Sequence, residues 1–130
     1  MDAQNILNIA ANALNNKKAK QLKALKIDDL TTLADYFVIA TATSSTHVRA
    51  LADEVEEKLK EQSVEPHHRE GKTTGWIVLD YVSVIVHVFT PTEREFYNLD
   101  SMWCDATEIN LETILDVSSS AIRDETSLIV

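Results

Sequence analysis

Cysteine, glycine and basic charge are scarce in this chain, and each scarcity excludes something. Cys104 is the one cysteine among 130 residues, so no intramolecular disulfide can form and a reducing compartment is the simplest home. Only two glycines occur. With no Gly-rich loop and no Gly-Lys-Ser run, a P-loop is excluded, and no cofactor is expected. Lys plus Arg number 12 against 21 Asp plus Glu, a formal net charge of -9. That balance argues against a nucleic-acid binder, because neutralising phosphates needs clustered Lys and Arg. It favours a basic protein partner, for which a ribosomal or chromatin protein is the obvious class. No apolar run approaches the length of a membrane span. The N-terminus lacks the zones of a signal peptide, and Asp2 with no Arg before Arg49 disfavours a transit peptide. Cytoplasm follows by elimination.

The length suits one domain with a sizeable core. A single α/β domain is expected over residues 1–116, followed by a tail over 117–130 that is either partly disordered or a helix extension touching the domain through Ile122. No repeats and no long linker occur. Charge is uneven: residues 1–44 hold five Lys against four Asp, whereas residues 92–130 hold nine acids against two Arg. The net negative charge is therefore concentrated after the last strong strand.

Helical spacing of Ile6, Ile9, Ala10, Ala13, Leu14 and Lys17 predicts a first helix over residues 3–18, capped by Asp2. Strands are expected over 22–27 and over 36–41, the latter rich in aromatic and β-branched residues. Ser44 or Ser45 then caps a second helix reaching about residue 62, with Val48, Leu51, Ala52, Val55 and Leu59 as its buried stripe. A short extended piece over 64–69, a turn over 71–75 and a strand over 76–80 follow. The segment VSVIVHVF over 82–89 is apolar on both alternations. Such a strand is covered on both faces, which places helices over a mixed, mostly buried sheet. If its connection to the preceding strand is tight, the two are antiparallel. One or two helical turns are expected over 93–99, and a weaker helical pattern over 105–116 rests on Ile109, Leu111, Ile114 and Leu115.

The stretch GWIVLDYVSVIVHVFTPTEREFYNLDSMW ends in a crowd of acids and aromatics: Glu93, Glu95, Phe96, Tyr97 and Trp103. It holds no metal cluster, paired catalytic carboxylates or activated nucleophile, which favours recognition over catalysis. His67 and His68 are adjacent, so on a strand they point to opposite faces and do not converge on a metal. His87, between valines, reads as a hydrogen-bonded buried histidine rather than a base. The turn TATSST over 41–46 offers helix amides to a small anion, with plain helix capping as the commoner alternative. Asp35 and Asp80 read as turn-setting residues rather than a metal pair. Of the aromatics, either all are core or one or two sit on a protein-binding face, where rings carry disproportionate energy. Trp76 is the preferred anchor.

Three blocks together resemble one known family: LADYFVIATATSSTHVRALADEVEEKL, the hairpin around WIVLDY and VHVF, and TEREFYNLDSMW, extended upstream through ALKIDDL. The resemblance is to the ribosomal silencing factors, also called Iojap or RsfS, and covers roughly residues 3–107. It implies a compact α/β domain with a nucleotidyltransferase-like outline and no enzymatic activity. It also implies binding to the large ribosomal subunit through its universal protein number fourteen. That would block association with the small subunit and repress translation when nutrients are short. Asp35, Tyr36 and Phe37 match the family's strand start. Ser44, Ser45, His47 and Arg49 match the strand-to-helix turn. Trp76, Asp80, Tyr81, His87 and Phe89 match the hairpin, and Glu95, Tyr97, Leu99 and Trp103 match the closing block. The expected protein-binding residues are therefore Trp76, Asp80, Tyr81, Glu95, Tyr97, His47 and Arg49.

The chain departs from the family pattern at Ala42, where Gly is usual, and at Val82-Ser83, where Gly-Asp is usual. The Gly-Ser turn and Asp-x-Asp of a nucleotidyltransferase are absent. Two other readings stand beside the leading one: a small nucleotide-dependent transferase, and a homodimeric adaptor. No sequence-specific nucleic acid, membrane or metal is expected as a partner, and a homodimer is conceivable for the free chain.

Overall fold

A computed structural model describes residues 1–115. The tail expected over 117–130 lies outside the described residues. The first apolar stripe becomes α1 (Ala3–Asn16), whose N-terminus is capped by Asp2 Oδ1 accepting the Asn5 amide at 2.8 Å. The elements then run β1 (Lys20–Lys26), β2 (Tyr36–Thr41), α2 (Ser45–Lys60), β3 (His68–Thr73), β4 (Trp76–Asp80), β5 (Val84–Phe89), α3 (Pro91–Tyr97), α4 (Leu99–Met102) and the two-residue β6 (Thr107–Glu108).

The six strands form one sheet in the order β3-β4-β5-β2-β1-β6. Its central pair, β2 and β5, is parallel, with Tyr36 opposite Val84 and Thr41 opposite Phe89. The other pairings are antiparallel, including β4 with β5 as expected. The fold is thus α/β with a mixed sheet and packing helices.

Strand alternation divides the core into two layers. On one face Val38 and Ala40 of β2, Ile77 and Leu79 of β4 and Val84, Val86 and Val88 of β5 meet Leu7 and Leu14 of α1 and Leu51, Val55 and Leu59 of α2. The α2 stripe is the one its spacing predicts. In α1 the buried set also takes in Leu7 and Ala11, because the helix packs against both the sheet and the neighbouring α2 and is buried over a wider arc. On the other face Phe37, Ile39, Ile85 and Phe89 pack with Leu25, Ile27 and Leu99, while Trp76, Val78 and Trp103 are only partly buried. All six residues of β5 are buried, as apolarity on both alternations requires. Each large apolar side chain so buried contributes roughly 1.5–3 kcal/mol.

Three expectations are corrected. The strand placed over 64–69 is β3, shifted to His68–Thr73. It is an edge strand whose side chains are mostly exposed, so it has no apolar alternation to read. The helix expected over 105–116 does not form over the described residues 105–115; β6 pairs with the end of β1, and a single 3-10 turn follows at Leu111–Thr113. The strand expected from residue 82 begins at Val84, because Val82 adopts φ 71.

Candidate protein-docking face

The second sheet face carries a continuous run of rings. The Trp76 ring stacks on Phe89 at a centroid distance of 4.9 Å and meets Tyr97 at 4.5 Å. Its indole Nε1 donates to His87 Nδ1 at 3.3 Å. Tyr97 in turn meets Phe96 edge-on at 5.0 Å. On the other side of His87, Phe37 stands edge-on to it at 4.9 Å and edge-on to Trp103 at 5.0 Å. The outermost ring reaches solvent: Phe96 is 77% exposed. Glu93, half-buried, lies against Gly75 next to Trp76. An acid thus borders an apolar, aromatic patch.

Local sequence explains why α3 presents these rings. Thr90 caps the helix by accepting the Glu93 amide, and Pro91 occupies its first turn, where no amide partner is needed. Thr90 N also donates to Gly75 O at 2.9 Å. A Cβ on Gly75 would lie 2.8 Å from both Glu93 Cγ and Thr90 Oγ1, so only glycine lets the β3–β4 turn approach α3 this closely. Asn98 ends the helix in the left-handed region at φ 50.

Arg94 fixes the inner side of α3. Only 9% exposed, it donates through Nη1 to Gln21 O at 2.6 Å and Thr41 Oγ1 at 2.9 Å, and it holds Asp100 with Nε and Nη2. Lys23 Nζ adds a contact to Asp100 at 3.2 Å. The Arg94 hydrogen bonds lower the Asp100 pKa to about 2. Sequence reading does not find this residue: an arginine flanked by two glutamates looks solvated, and its acceptors come from β1 and β2.

The expected site residues separate. Trp76 and Tyr97 come together on this face, whereas Glu95 lies round α3 on the Arg94 side, beside Gln21, Pro91 and Asn98. Asp80 lies at the far end of β4, about 13 Å along the strand from Trp76, and its Oδ1 accepts the Val82 amide at 2.7 Å, setting the hairpin corner. Tyr81 does not belong to this face: it is 6% exposed and packs in the helix-covered layer, and burial raises its hydroxyl pKa. The His47 ring is engaged internally, Nε2 donating to Lys17 O at 2.8 Å and Nδ1 accepting from Thr43 N at 2.9 Å, so it fastens α1 to the start of α2. Arg49 is exposed on α2. In the 41–46 turn Ser44 Oγ takes the His47 amide at 3.1 Å, which is helix capping. Among the described residues, no group of three or more His, Cys, Asp or Glu side chains is placed to hold a metal ion, and no helix is long and apolar enough to cross a membrane.

Residues 1–128 match the profile of the family described as "ribosomal silencing factor during starvation". The chain belongs to that family. A ribosomal silencing factor from Halalkalibacterium halodurans is 37% identical over 116 residues, spanning 88% of this chain and 99% of the relative. Its counterpart in Bacillus subtilis is 35% identical, spanning 86% of this chain and 96% of the relative. A crystal structure of a Chromobacterium violaceum protein superposes with a TM-score of 0.76 at 36% identity, covering 79% of this chain and 87% of that one. The family is one of silencing factors and not of enzymes.

Proposed function

We propose that this silencing factor binds the large ribosomal subunit through its universal protein number fourteen, and that the aromatic face of Trp76, Phe96, Tyr97 and Trp103 makes the contact. Occupying that protein excludes the small subunit sterically and represses translation under nutrient limitation. The observation that carries the reading is the exposed Phe96 next to Tyr97, which packs on the half-buried Trp76. Large rings rimmed by acid are suited to a basic protein surface. The net charge of -9 adds attraction at long range. The proposed place of action is the cytoplasm.

The nucleotidyltransferase-like outline is a proposal about ancestry, with the catalytic turn lost. The transferase reading has no comparable support. In the free chain the same rings would be the surface used by a homodimer.

Co-sedimentation with isolated large and small subunits tests the reading. The parent chain is expected with large subunits only. Subunit joining should fall in proportion to occupancy, with no turnover. Binding unaffected by both Phe96→Ala and Tyr97→Ala would move the contact elsewhere.

A further inference from the structure

At the centre of the aromatic face lies a polar atom with nothing to bind. His87 is 7% exposed, and its Nε2 has no hydrogen-bond partner among the described residues. The tautomer follows from its neighbour. The indole Nε1 of Trp76 donates only, and it points at His87 Nδ1. Nδ1 must therefore offer its lone pair, and in a neutral imidazole the proton then sits on Nε2. Burial keeps the ring neutral by lowering its pKa to about 4, with a smaller contribution from Lys72.

Nε2 is thus an N–H donor facing aromatic rings. A phenylalanine would fill the same space without an orphaned donor, as Phe37 and Phe89 do beside it, and would give up only the acceptor of the half-buried Trp76 indole. An orphaned donor in such a place is a standing penalty until something supplies an acceptor.

The position of the ring says where an acceptor would come from. His87 alternates with Ile85 and Phe89 onto the face shared with Phe37 and Trp76. Nε2 is the ring nitrogen farther from Cβ, so it points away from the strand towards the covering layer. Trp76 and Trp103, which border the Phe37–His87 pair, are only partly buried, and Tyr97 is exposed. The donor therefore sits one ring beneath the surface proposed above for docking. We propose that docking turns the covering ring aside and that His87 Nε2–H then donates to a carbonyl oxygen of the docked partner, making this buried histidine a specificity determinant of the interface. The proposal rests on that docking reading. A carbonyl is favoured over a carboxylate because Glu93 already borders the rings and the chain carries a net charge of -9. A donor left unpaired also discriminates against apolar surfaces that would otherwise fit the rings.

The test compares His87→Phe and His87→Gln with the parent, using isolated large-subunit protein number fourteen as the probe and reading both affinity and melting temperature. Gln places an amide N–H about as far from the backbone as Nε2. His87→Phe is expected to melt at or above the parent temperature yet bind about tenfold more weakly. His87→Gln is expected to bind within about threefold of the parent. A structural histidine would show the reverse, a lower melting temperature with unchanged affinity, and parent-like binding by His87→Phe overturns the proposal. If His87→Phe does not fold, the Nε2 proton of the parent is followed by NMR. On adding the probe, slower exchange and a moved resonance support the proposal, and an unchanged signal overturns it. Phe96→Ala separates the two levels. Weakened binding there with parent-like His87→Phe sinks only the histidine, whereas parent-like binding by both Phe96→Ala and Tyr97→Ala sinks the docking face and His87 with it.

Discussion

Arg94 grips Asp100 through two parallel hydrogen bonds, Nε to Oδ2 at 3.0 Å and Nη2 to Oδ1 at 2.9 Å. With the further bonds to Gln21 and Thr41, the pair fastens α3 and α4 to β1 and β2. The rings on α3 are held in place by this clamp as much as by their own packing.

Removing Arg94 leaves a carboxylate, a hydroxyl and a carbonyl without their donor. Arg94→Leu should destabilise the domain by about 3 kcal/mol. Asp100→Asn should cost only about 1 kcal/mol, since Asp100 is partly exposed and solvent screens the pair. Asp100 has a folded pKa of about 2 against an ordinary 3.8. Its contribution is therefore complete above pH 3.8 and is lost as pH falls through about 2. Urea titrations between those limits should be less pH-dependent in Asp100→Asn than in the parent. Equal slopes would show that the clamp contributes nothing measurable.

Phe96 and Trp76 should behave differently although both lie on the proposed docking face. Phe96→Ala removes a ring that is mostly in water, so stability should stay within about 0.5 kcal/mol of the parent. Its affinity for large subunits should fall about tenfold. Trp76→Ala removes a ring packed on Phe89 and Tyr97 and takes the indole donor from His87. It should lose about 3 kcal/mol of stability as well as binding. Calorimetry and sedimentation on the same preparations check both.

What the sequence makes legible follows physical type. The stripe of α2, the caps Asp2 and Ser44 and the two-sided burial of β5 depend on local spacing, and the structure has them as read. Tyr81 was legible too: it alternates with Ile77 and Leu79, which places it in the helix-covered layer. Its aromatic character and its place in a family-like block outweighed that spacing. Arg94 and β3 were not legible, for opposite reasons. Arg94 is buried by partners 73 and 53 residues away, and no local pattern encodes them. β3 exists because β4 pairs with it, and its own polar side chains give no period.

His87 gives a second pH dependence at milder acidity. The unfolded chain takes up this proton near the ordinary pKa of 6.5, and the native ring only near 4. Stability from the neutral ring is complete above pH 6.5 and is lost as pH falls towards 4. The amount is roughly 2–4 kcal/mol. His87→Phe should flatten the stability profile across that window while leaving the Asp100 arm below it intact. Lys72 is the charged group that acts on the ring, so Lys72→Gln should narrow the window slightly.

Val82 is a β-branched residue at φ 71 and 62% exposed, where the resemblance leads one to expect glycine. The left-handed region costs such a side chain about 1–2 kcal/mol. Val82→Gly should raise stability by about 1 kcal/mol after the entropy cost of glycine, or about 4 °C in melting temperature. A lower melting temperature would mean that the exposed valine makes a compensating contact.

Association with large subunits should slow as monovalent salt rises, because the net charge of -9 steers the encounter with a basic surface. The dissociation rate should change little, since the rings are apolar. Stopped-flow measurements at two salt concentrations suffice, and an association rate independent of salt would remove electrostatic steering from the account.

The parallel register of Tyr36 with Val84 has a bearing on synthesis. A chain leaving the exit tunnel presents β2 long before β5, and α2, β3 and β4 must all emerge before the central pair can close. Phe37 of β2 meets His87 of β5 only then, and Trp103 comes later still. On the proposed function, a nascent copy would therefore carry no finished face with which to grasp the particle that is making it, and competence would arrive only once the closing block is made.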